Sequence, residues 1–285
     1  MHSRIVLLCA LAVAAFLLPG CGGSETSAGG EQVVAAFYPL AFAAEQVAAP
    51  GVDVVDLTRA GEEPHDLELS PRDVARIQKA KLVVYAGRGF QPAVENAVQG
   101  RSGTSIDVLD HVRLRGTGDD VDPHVWLDPV RYAQVTRAIA SALGEPARAA
   151  PFVRRLSALD RELARGLGTC DRRTIVTSHA AFGYLAARYG LRQVALVGLA
   201  PEAEPSPATV ARLADTVRAT GASTVFTEPL VAPDLAETVA REAGAGTATL
   251  DPLEALTPTE EGSGADYFDV MRENLAALRR ALGCR

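Results

Sequence analysis

Short apolar runs alternate with amphipathic stretches along the chain from residue 33 onward. Runs of a few residues rich in Val, Ile, Leu and Thr are typical of strands buried on both faces of a parallel sheet. Such runs predict strands at Val33–Phe37, Val52–Leu57, Leu82–Tyr85, Ile106–Leu109, Thr174–Thr177, Val194–Leu199, Thr224–Thr227 and Thr247–Leu250. Because strands that alternate with helices build parallel sheets, the pattern indicates the α/β class.

Stretches with helical periodicity separate or follow these strands. They predict helices at 71–80, Pro129–Leu143, 146–168, 180–189, 207–219, 233–243 and 265–282. Two of these helices begin with a clear capping signal, since Ser70 precedes Pro71 and Asp128 precedes Pro129. A capping side chain followed by proline at the first helical position is a typical helix start.

The stretch 146–168 differs from the other predicted helices because no strand adjoins it on either side. Its apolar residues recur at spacings of three and four, at Phe152, Leu156, Leu159, Leu163 and Leu167. This spacing predicts one long amphipathic helix. We therefore expect two α/β lobes with parallel-rich sheets flanked by helices, at 32–145 and 169–285, joined by the helix 146–168.

The N-terminus has the pattern of an export signal. Arg4 precedes an apolar stretch, Ile5–Leu18, that is too short for a comfortable membrane span. The stretch ends in Leu18-Pro19-Gly20-Cys21, which resembles a bacterial lipobox, so we expect a lipoprotein signal peptide at 1–20 and a lipid on Cys21. The Gly-rich residues that follow predict a flexible tether at 21–31. A plain signal peptide with an incidental cysteine, or an uncleaved anchor, is the alternative.

Composition and charge exclude several classes of protein. The chain has 285 residues, with 28 Lys and Arg against 35 Asp and Glu, and its net charge of −7 argues against nucleic-acid binding. Hydrophobic residues at 48% and charged residues at 22% are ordinary for a globular chain, which excludes extensive disorder. The only long apolar run is N-terminal, which excludes a protein with several membrane spans.

The four cysteines fall into different roles. Cys9 leaves with the signal peptide and Cys21 receives lipid, so Cys170 and Cys284 remain. Two cysteines in an exported protein are a candidate disulfide, and two unrelated free thiols are the alternative. No Cys-x-x-Cys motif or Cys/His cluster occurs, which argues against a thiolate zinc site.

Three of the five histidines lie where ligand sites form in α/β folds. His65 lies in a loop after a predicted strand, His124 lies between two prolines ahead of a helix, and His179 directly follows a strand. Asp251 also ends a strand. Ligand sites in α/β sheets collect at the carboxyl ends of strands, so the four side chains can meet between facing lobes. Three imidazoles and one carboxylate suit tetrahedral zinc and also accept manganese or iron.

Each of these residues also has an ordinary interpretation as a helix-capping or hydrogen-bonded loop residue. The matched positions of three histidines and one aspartate favour the metal site over that interpretation. His111, in a polar bend after a strand, is expected to lie on the surface.

Several motifs together are specific enough to identify a family. They are Ala35–Leu40, Glu63-Pro64-His65-Asp66 with Ser70-Pro71, Asp122–Pro129, Thr177–Leu185 and Pro201–Ser206. Through them the chain resembles the zinc/manganese substrate-binding lipoproteins of bacterial ABC importers, the ZnuA/TroA-like family, over essentially all of 32–283. The resemblance implies a receptor, not an enzyme, with two lobes bridged by one long rigid helix and little lobe movement on metal binding.

The resemblance also implies the site and its partners. The family's metal ligands fall on His65, His124, His179 and Asp251. Some relatives with glutamate at the position of His179 favour manganese, so histidine here favours Zn²⁺ as cargo, with Mn²⁺ as the alternative. The implied partners are an ABC permease and its ATPase. We expect a monomer, lipid-anchored at the outer face of the bacterial cytoplasmic membrane.

Other acidic residues are candidates for supporting roles around the site. Glu204 and Glu228 are candidates to orient the ligands by hydrogen bonds, and loop or cap structure is their alternative. Glu62 or Glu63 approaches from the loop of the first histidine, but neither is expected as a primary ligand.

Two other functions stay open at this point. A zinc-dependent hydrolase would need an open metal position, yet Asp251 would close it, and the chain has no His-Glu-x-x-His motif. An adhesin role is secondary, since no adhesion-like segment is visible.

Overall fold

The computed structural model describes residues 31–116, 121–200 and 206–285. The expected signal peptide and Cys21 lie outside the described residues, as does Glu204. Among the described residues, no helix combines the length and the apolar character that crossing a membrane requires.

Eight short strands form two parallel sheets within these ranges. The strands are β1 Gln32–Ala35, β2 Asp53–Asp56, β3 Leu82–Tyr85, β4 Thr104–Asp107, β5 Thr174–Thr177, β6 Arg192–Ala195, β7 Thr224–Thr227 and β8 Gly246–Thr249. The first sheet has the order β2-β1-β3-β4, and the second has the equivalent order β6-β5-β7-β8. Every pairing in both sheets is parallel, so the predicted α/β class with two parallel sheets is confirmed.

Helices cover the sheets and connect them. They are α1 Tyr38–Val47, α2 Pro71–Lys79, α3 Pro92–Gln99, α4 Pro129–Ala142, α5 Ala149–Gly166, α6 Gly183–Arg188, α7 Pro207–Thr220, α8 Asp234–Ala243, α9 Pro258–Ser263 and α10 Tyr267–Leu282. The predicted caps are present: Ser70 and Asp73 form a capping box at α2, and Asp128 accepts from the backbone N–H of Val130 at α4.

The long helix differs slightly from its prediction. Residues 146–148 form a 3₁₀ turn, and the α-helix proper is α5, Ala149–Gly166. Its buried face consists of Ala149, Phe152, Leu156, Leu159 and Leu163. This stripe packs into the main apolar core, which also contains residues of both sheets. The exact lobe boundaries at 145 and 169 stay predictions.

Two aromatic side chains form hydrogen bonds between segments that lie on opposite sides of α5 in the chain. Trp126, on the turn before α4, donates from its indole Nε1 to the carbonyl of Pro252 at 2.7 Å. The Tyr267 hydroxyl on α10 donates to the carbonyl of Trp126, also at 2.7 Å. Both aromatic side chains are almost completely buried. The segments before α5 and after it are therefore joined by buried hydrogen bonds as well as by the helix.

The expected disulfide is present. Cys170 and Cys284 are joined, with the two sulfur atoms 2.00 Å apart. The bond links the segment that follows α5 to the end of α10. Backbone hydrogen bonding reinforces this junction, because the N–H of Arg172 donates to the carbonyl of Leu282 at 3.0 Å.

Candidate metal centre

His65 is carried by a tight turn after β2. Residues Pro64–Asp66 form one 3₁₀ turn, which the Glu63 carboxylate caps by accepting from the backbone N–H of His65 at 3.2 Å. The Phe90 ring packs against the imidazole, with 4.5 Å between ring centroids. Capping and packing together fix the position of a side chain that lies on a loop.

His124 is fully buried immediately before the 3₁₀ turn Val125–Leu127. One oxygen of Asp122 accepts from the His124 backbone N–H at 3.0 Å and lies 2.9 Å from the ring Nδ1. Asp122 is itself buried, at 7% exposure. A single carboxylate thus holds both the main chain and the ring of this histidine.

His179 has the same arrangement in the second lobe. It follows β5 directly, and Glu228 follows the adjacent strand β7. Glu228 accepts from the His179 backbone N–H at 3.1 Å, and its other oxygen lies 2.6 Å from Nδ1. The expectation that Glu228 orients a ligand histidine is compatible with this geometry.

Glu254 lies where the three histidines meet. Its Oε1 lies 2.9 Å from His124 Nε2, 3.3 Å from His179 Nε2 and 3.7 Å from His65 Nε2. One ligand atom from each of the four residues lies within 4.8 Å of the others. Glu254 is 1% exposed, so this is a buried cluster. His65 and His124 precede α5 in the chain, whereas His179 and Glu254 follow it.

The carboxylates at Nδ1 determine which ring nitrogen faces the cluster. A neutral imidazole carries one N–H and one lone pair. In their neutral forms, His124 donates Nδ1–H to Asp122 and His179 donates Nδ1–H to Glu228, which leaves both Nε2 lone pairs for a cation. A carboxylate behind each imidazole is the usual support of a metal-binding histidine, because it fixes the tautomer and the ring orientation.

Burial and hydrogen bonding have opposite effects on the pKa values in the cluster. Burial alone would lower the pKa of His124 and His179, but hydrogen bonds to Asp122, Glu228 and Glu254 outweigh it. The pKa of His124 is raised, and that of His179 is raised to about 10. Burial alone would raise the pKa of Glu254, but hydrogen bonds from the imidazoles hold it well below its usual range. When no cation is bound, the proton on His179 therefore offsets the charge of Glu254.

Asp251 differs from its sequence prediction. The predicted ligand set has Asp251 in fourth position, but the structure gathers Glu254 with the histidines, and Asp251 is not in the group. The Asp251 Oδ1 instead accepts from the backbone N–H of Leu253 at 2.6 Å. Burial raises the pKa of Asp251 to about 8. The physical reason is a turn after β8, which directs the side chain three residues later into the cluster.

The structure also places the remaining acidic candidates. Glu63 is held at the His65 main chain, and burial together with the nearby charge of Glu254 raises the pKa of Glu63 to about 8. Glu62 accepts from the backbone N–H of Arg59 on the exposed side of the loop. Sequence reasoning assigned no role to Asp122, although an acid two residues before a candidate ligand histidine is a signal for it. His111 is exposed, as expected.

Three imidazole nitrogens and one carboxylate oxygen make a complete tetrahedral donor set. A hydrolytic zinc centre has three protein ligands and keeps its fourth position open for water, whereas the four side chains here offer a donor for every position. The geometry is suited to holding a cation rather than to activating water.

The sequence is similar to a known family along most of its length. The family model described as "ZnuA: Zinc-uptake complex component A periplasmic" matches residues 33–281. The zinc-binding lipoprotein AdcA of Streptococcus pneumoniae serotype 4 is 34% identical, over 97% of this chain and 60% of that protein. The chain thus spans less than two thirds of the length of AdcA. The high-affinity zinc uptake system protein ZnuA of Bacillus subtilis is 30% identical, over 98% of this chain and 96% of that protein.

A solved structure has a similar fold. The crystal structure of the Zn(II)-bound ZnuA-like domain of Streptococcus pneumoniae AdcA superposes with a TM-score of 0.75 at 35% identity. The match covers 89% of this chain and 99% of that domain. The solved domain is therefore matched over nearly its whole length.

Proposed function

Because the chain belongs to the family of the periplasmic zinc-uptake complex component A, we propose that it captures Zn²⁺ outside the cytoplasm for delivery to a membrane permease. Family membership confirms the prediction of a metal-binding receptor rather than an enzyme. In this proposal zinc is the cargo, and the protein performs no chemistry on it.

The observation that carries the proposal is the buried cluster of His65, His124, His179 and Glu254. These four side chains supply three nitrogens and one oxygen, and nitrogen-rich sites suit zinc better than manganese, which prefers carboxylate, carbonyl and water oxygens. The ligands come in equal numbers from the segments on either side of α5. We propose that the metal lies between the lobes and is bound by both.

Asp122 and Glu228 support the site as positioning residues in this proposal. Each accepts a hydrogen bond from the main chain of one histidine and lies within hydrogen-bond distance of its Nδ1. They hold the Nε2 lone pairs toward the cation without touching it. Such partners affect metal affinity by about 10–100-fold when they are removed.

The N-terminal sequence and the relatives bear on where the receptor acts and on the protein to which it delivers zinc. Relatives such as AdcA are named lipoproteins, and the lipobox-like residues before Cys21 support a lipid anchor here. We propose that the anchored receptor acts as a monomer at the outer face of the cytoplasmic membrane and passes zinc to an ABC permease with its ATPase. The relatives' participation in zinc uptake supports this assignment.

A metal competition experiment tests the cargo. The protein is stripped with a chelator and offered equal amounts of Zn²⁺ and Mn²⁺, and the bound metal is counted by elemental mass spectrometry. We expect one equivalent of zinc and little manganese, because the cluster is rich in imidazole. Preferential retention of manganese would keep the receptor role but overturn the zinc assignment. No retained metal would overturn both.

Zinc affinity is expected to rise with pH. The raised pKa of His179, about 10, means that its imidazole holds a proton in the metal-free protein at neutral pH, and the raised pKa of His124 favours the protonated form of that ring as well. Zinc binds only the neutral rings, so binding releases these protons and weakens as pH falls. For each proton released, the dissociation constant falls about tenfold for every unit by which the pH rises. This dependence ends when the pH reaches the His179 pKa of about 10.

Titration calorimetry in buffers of different ionisation enthalpy measures the number of protons directly. The slope of the observed enthalpy against the buffer enthalpy gives the protons released per zinc. A slope of zero at neutral pH, with affinity independent of pH, would contradict the protonated metal-free site.

A further inference from the structure

The segment Asp251–Glu254 makes a strained turn between β8 and the buried cluster of candidate ligands. Leu253 has φ = +56°, a left-handed conformation that is unfavourable for residues other than glycine. Its side chain is fully buried, and Glu254 follows it directly. Such strain persists only where the surroundings determine the backbone, and it often occurs at functional sites.

Buried hydrogen bonds hold this turn from three directions. Asn274 on α10 accepts from the backbone N–H of Asp251 at 2.8 Å and donates to its carbonyl at 2.7 Å. Trp126 donates to the next carbonyl, that of Pro252. The Asp251 side chain completes the set, since its Oδ1 accepts from the strained Leu253 itself at 2.6 Å.

We propose that Asp251 is a positioning residue that fixes the left-handed turn at Leu253 and thereby directs the Glu254 carboxylate onto the three histidines. The inference rests on the proposed function for its effect on zinc. Asp251 acts through Glu254 and does not contact the cation.

Two observations separate this role from direct ligation. The Asp251 carboxylate lies outside the group of atoms that surrounds the candidate cation position. Its Oδ1 is engaged by Leu253, while its Oδ2 is buried without a hydrogen-bond partner among the described residues. The Asp251 side chain therefore affects the cluster through its hydrogen bond with the backbone N–H of Leu253. An asparagine side chain can accept the same hydrogen bond.

A set of variants tests the proposal by zinc affinity, measured in competition with a chromophoric chelator. We expect Asp251→Ala to weaken zinc binding about tenfold or more and Asp251→Asn to stay within about threefold of the unmodified protein. In a protein that already carries Glu254→Ala, adding Asp251→Ala should cause no further loss of zinc affinity, because the carboxylate that Asp251 positions is absent. Asp107→Ala is the matched control, since Asp107 accepts from Leu109 two residues later in the same way.

Each deviation from this pattern overturns the role. Equal losses in Asp251→Asn and Asp251→Ala would indicate that the carboxylate charge binds the cation. An additional loss in the Glu254→Ala background would show that Asp251 acts independently of Glu254. Unchanged affinity in Asp251→Ala would show that the turn does not depend on this carboxylate.

Amide hydrogen exchange in the metal-free protein separates failure of this inference from failure of the proposed function. We expect the Leu253 amide to exchange slowly in the unmodified protein and in Asp251→Asn, and faster in Asp251→Ala. If the protein holds no zinc, the function fails while this pattern still decides whether Asp251 fixes the turn. Rapid exchange of Leu253 in the unmodified protein would overturn the inference itself.

Discussion

Replacing His179 by alanine is expected to weaken zinc binding by about a hundredfold or more. A four-ligand zinc site is worth about 10–16 kcal/mol, so an equal share per ligand is about 2.5–4 kcal/mol. Since about 1.4 kcal/mol changes a dissociation constant tenfold, losing one ligand costs at least about two orders of magnitude. The lost ring also leaves Glu228, now buried without its imidazole partner. The measurement is chelator competition at constant pH.

His111→Ala is the matched control for this variant. His111 is exposed at the end of a 3₁₀ turn, Val108–His111, and is not in the buried cluster. It should bind zinc as the unmodified protein does. Circular dichroism of His179→Ala checks that the fold is retained. If His179→Ala binds zinc as tightly as His111→Ala, the assignment of the metal site is wrong.

Removal of the disulfide between Cys170 and Cys284 is expected to destabilise the folded protein strongly. With Cys170 and Cys284 both replaced by serine, we expect the free energy of unfolding to fall by about 4–5 kcal/mol. The bond closes a loop of 114 residues, and a cross-link restricts the unfolded chain more as the loop becomes longer. Urea unfolding measures the difference.

The same experiment has an internal control in the unmodified protein under reducing conditions. Reduction should lower its unfolding free energy to that of the double serine variant, and the variant itself should not respond to reductant. Zinc affinity should change little, because neither cysteine belongs to the buried cluster. A stability difference below about 1 kcal/mol would show that the bond contributes little, as happens when the reduced chain keeps residual structure.

The sheets and the three histidines could be predicted because local sequence determines them. Strands β3, β5 and β7 have the predicted bounds, since each is a short run of aliphatic, aromatic and threonine residues that is typical of a buried strand. His65 and His179 follow from a general rule, that ligands collect at the carboxyl ends of parallel strands, whereas His124 is predicted from its position between two prolines ahead of a helix. This rule can be applied without knowing the backbone conformation of the loops.

Glu254 could not be predicted in this way because a single backbone conformation selects it over Asp251. A leucine with positive φ has no signature in the sequence, and it depends on tertiary contacts with Asn274 and Trp126. Both partners lie on other elements, far from the turn in sequence. Without the turn, the first acid after β8 is the natural candidate, and that acid is Asp251.

The balance of charge within the buried cluster makes loading and unloading an exchange of cations. The proton on His179 offsets the Glu254 carboxylate when metal is absent, and Zn²⁺ takes the place of that proton when it binds. The buried Glu254 carboxylate therefore has a positive partner in both states, and leaving it unpaired would be costly. A receptor that binds and releases zinc in this way would exchange one positive charge for another, and its buried carboxylate would stay paired between one ion and the next.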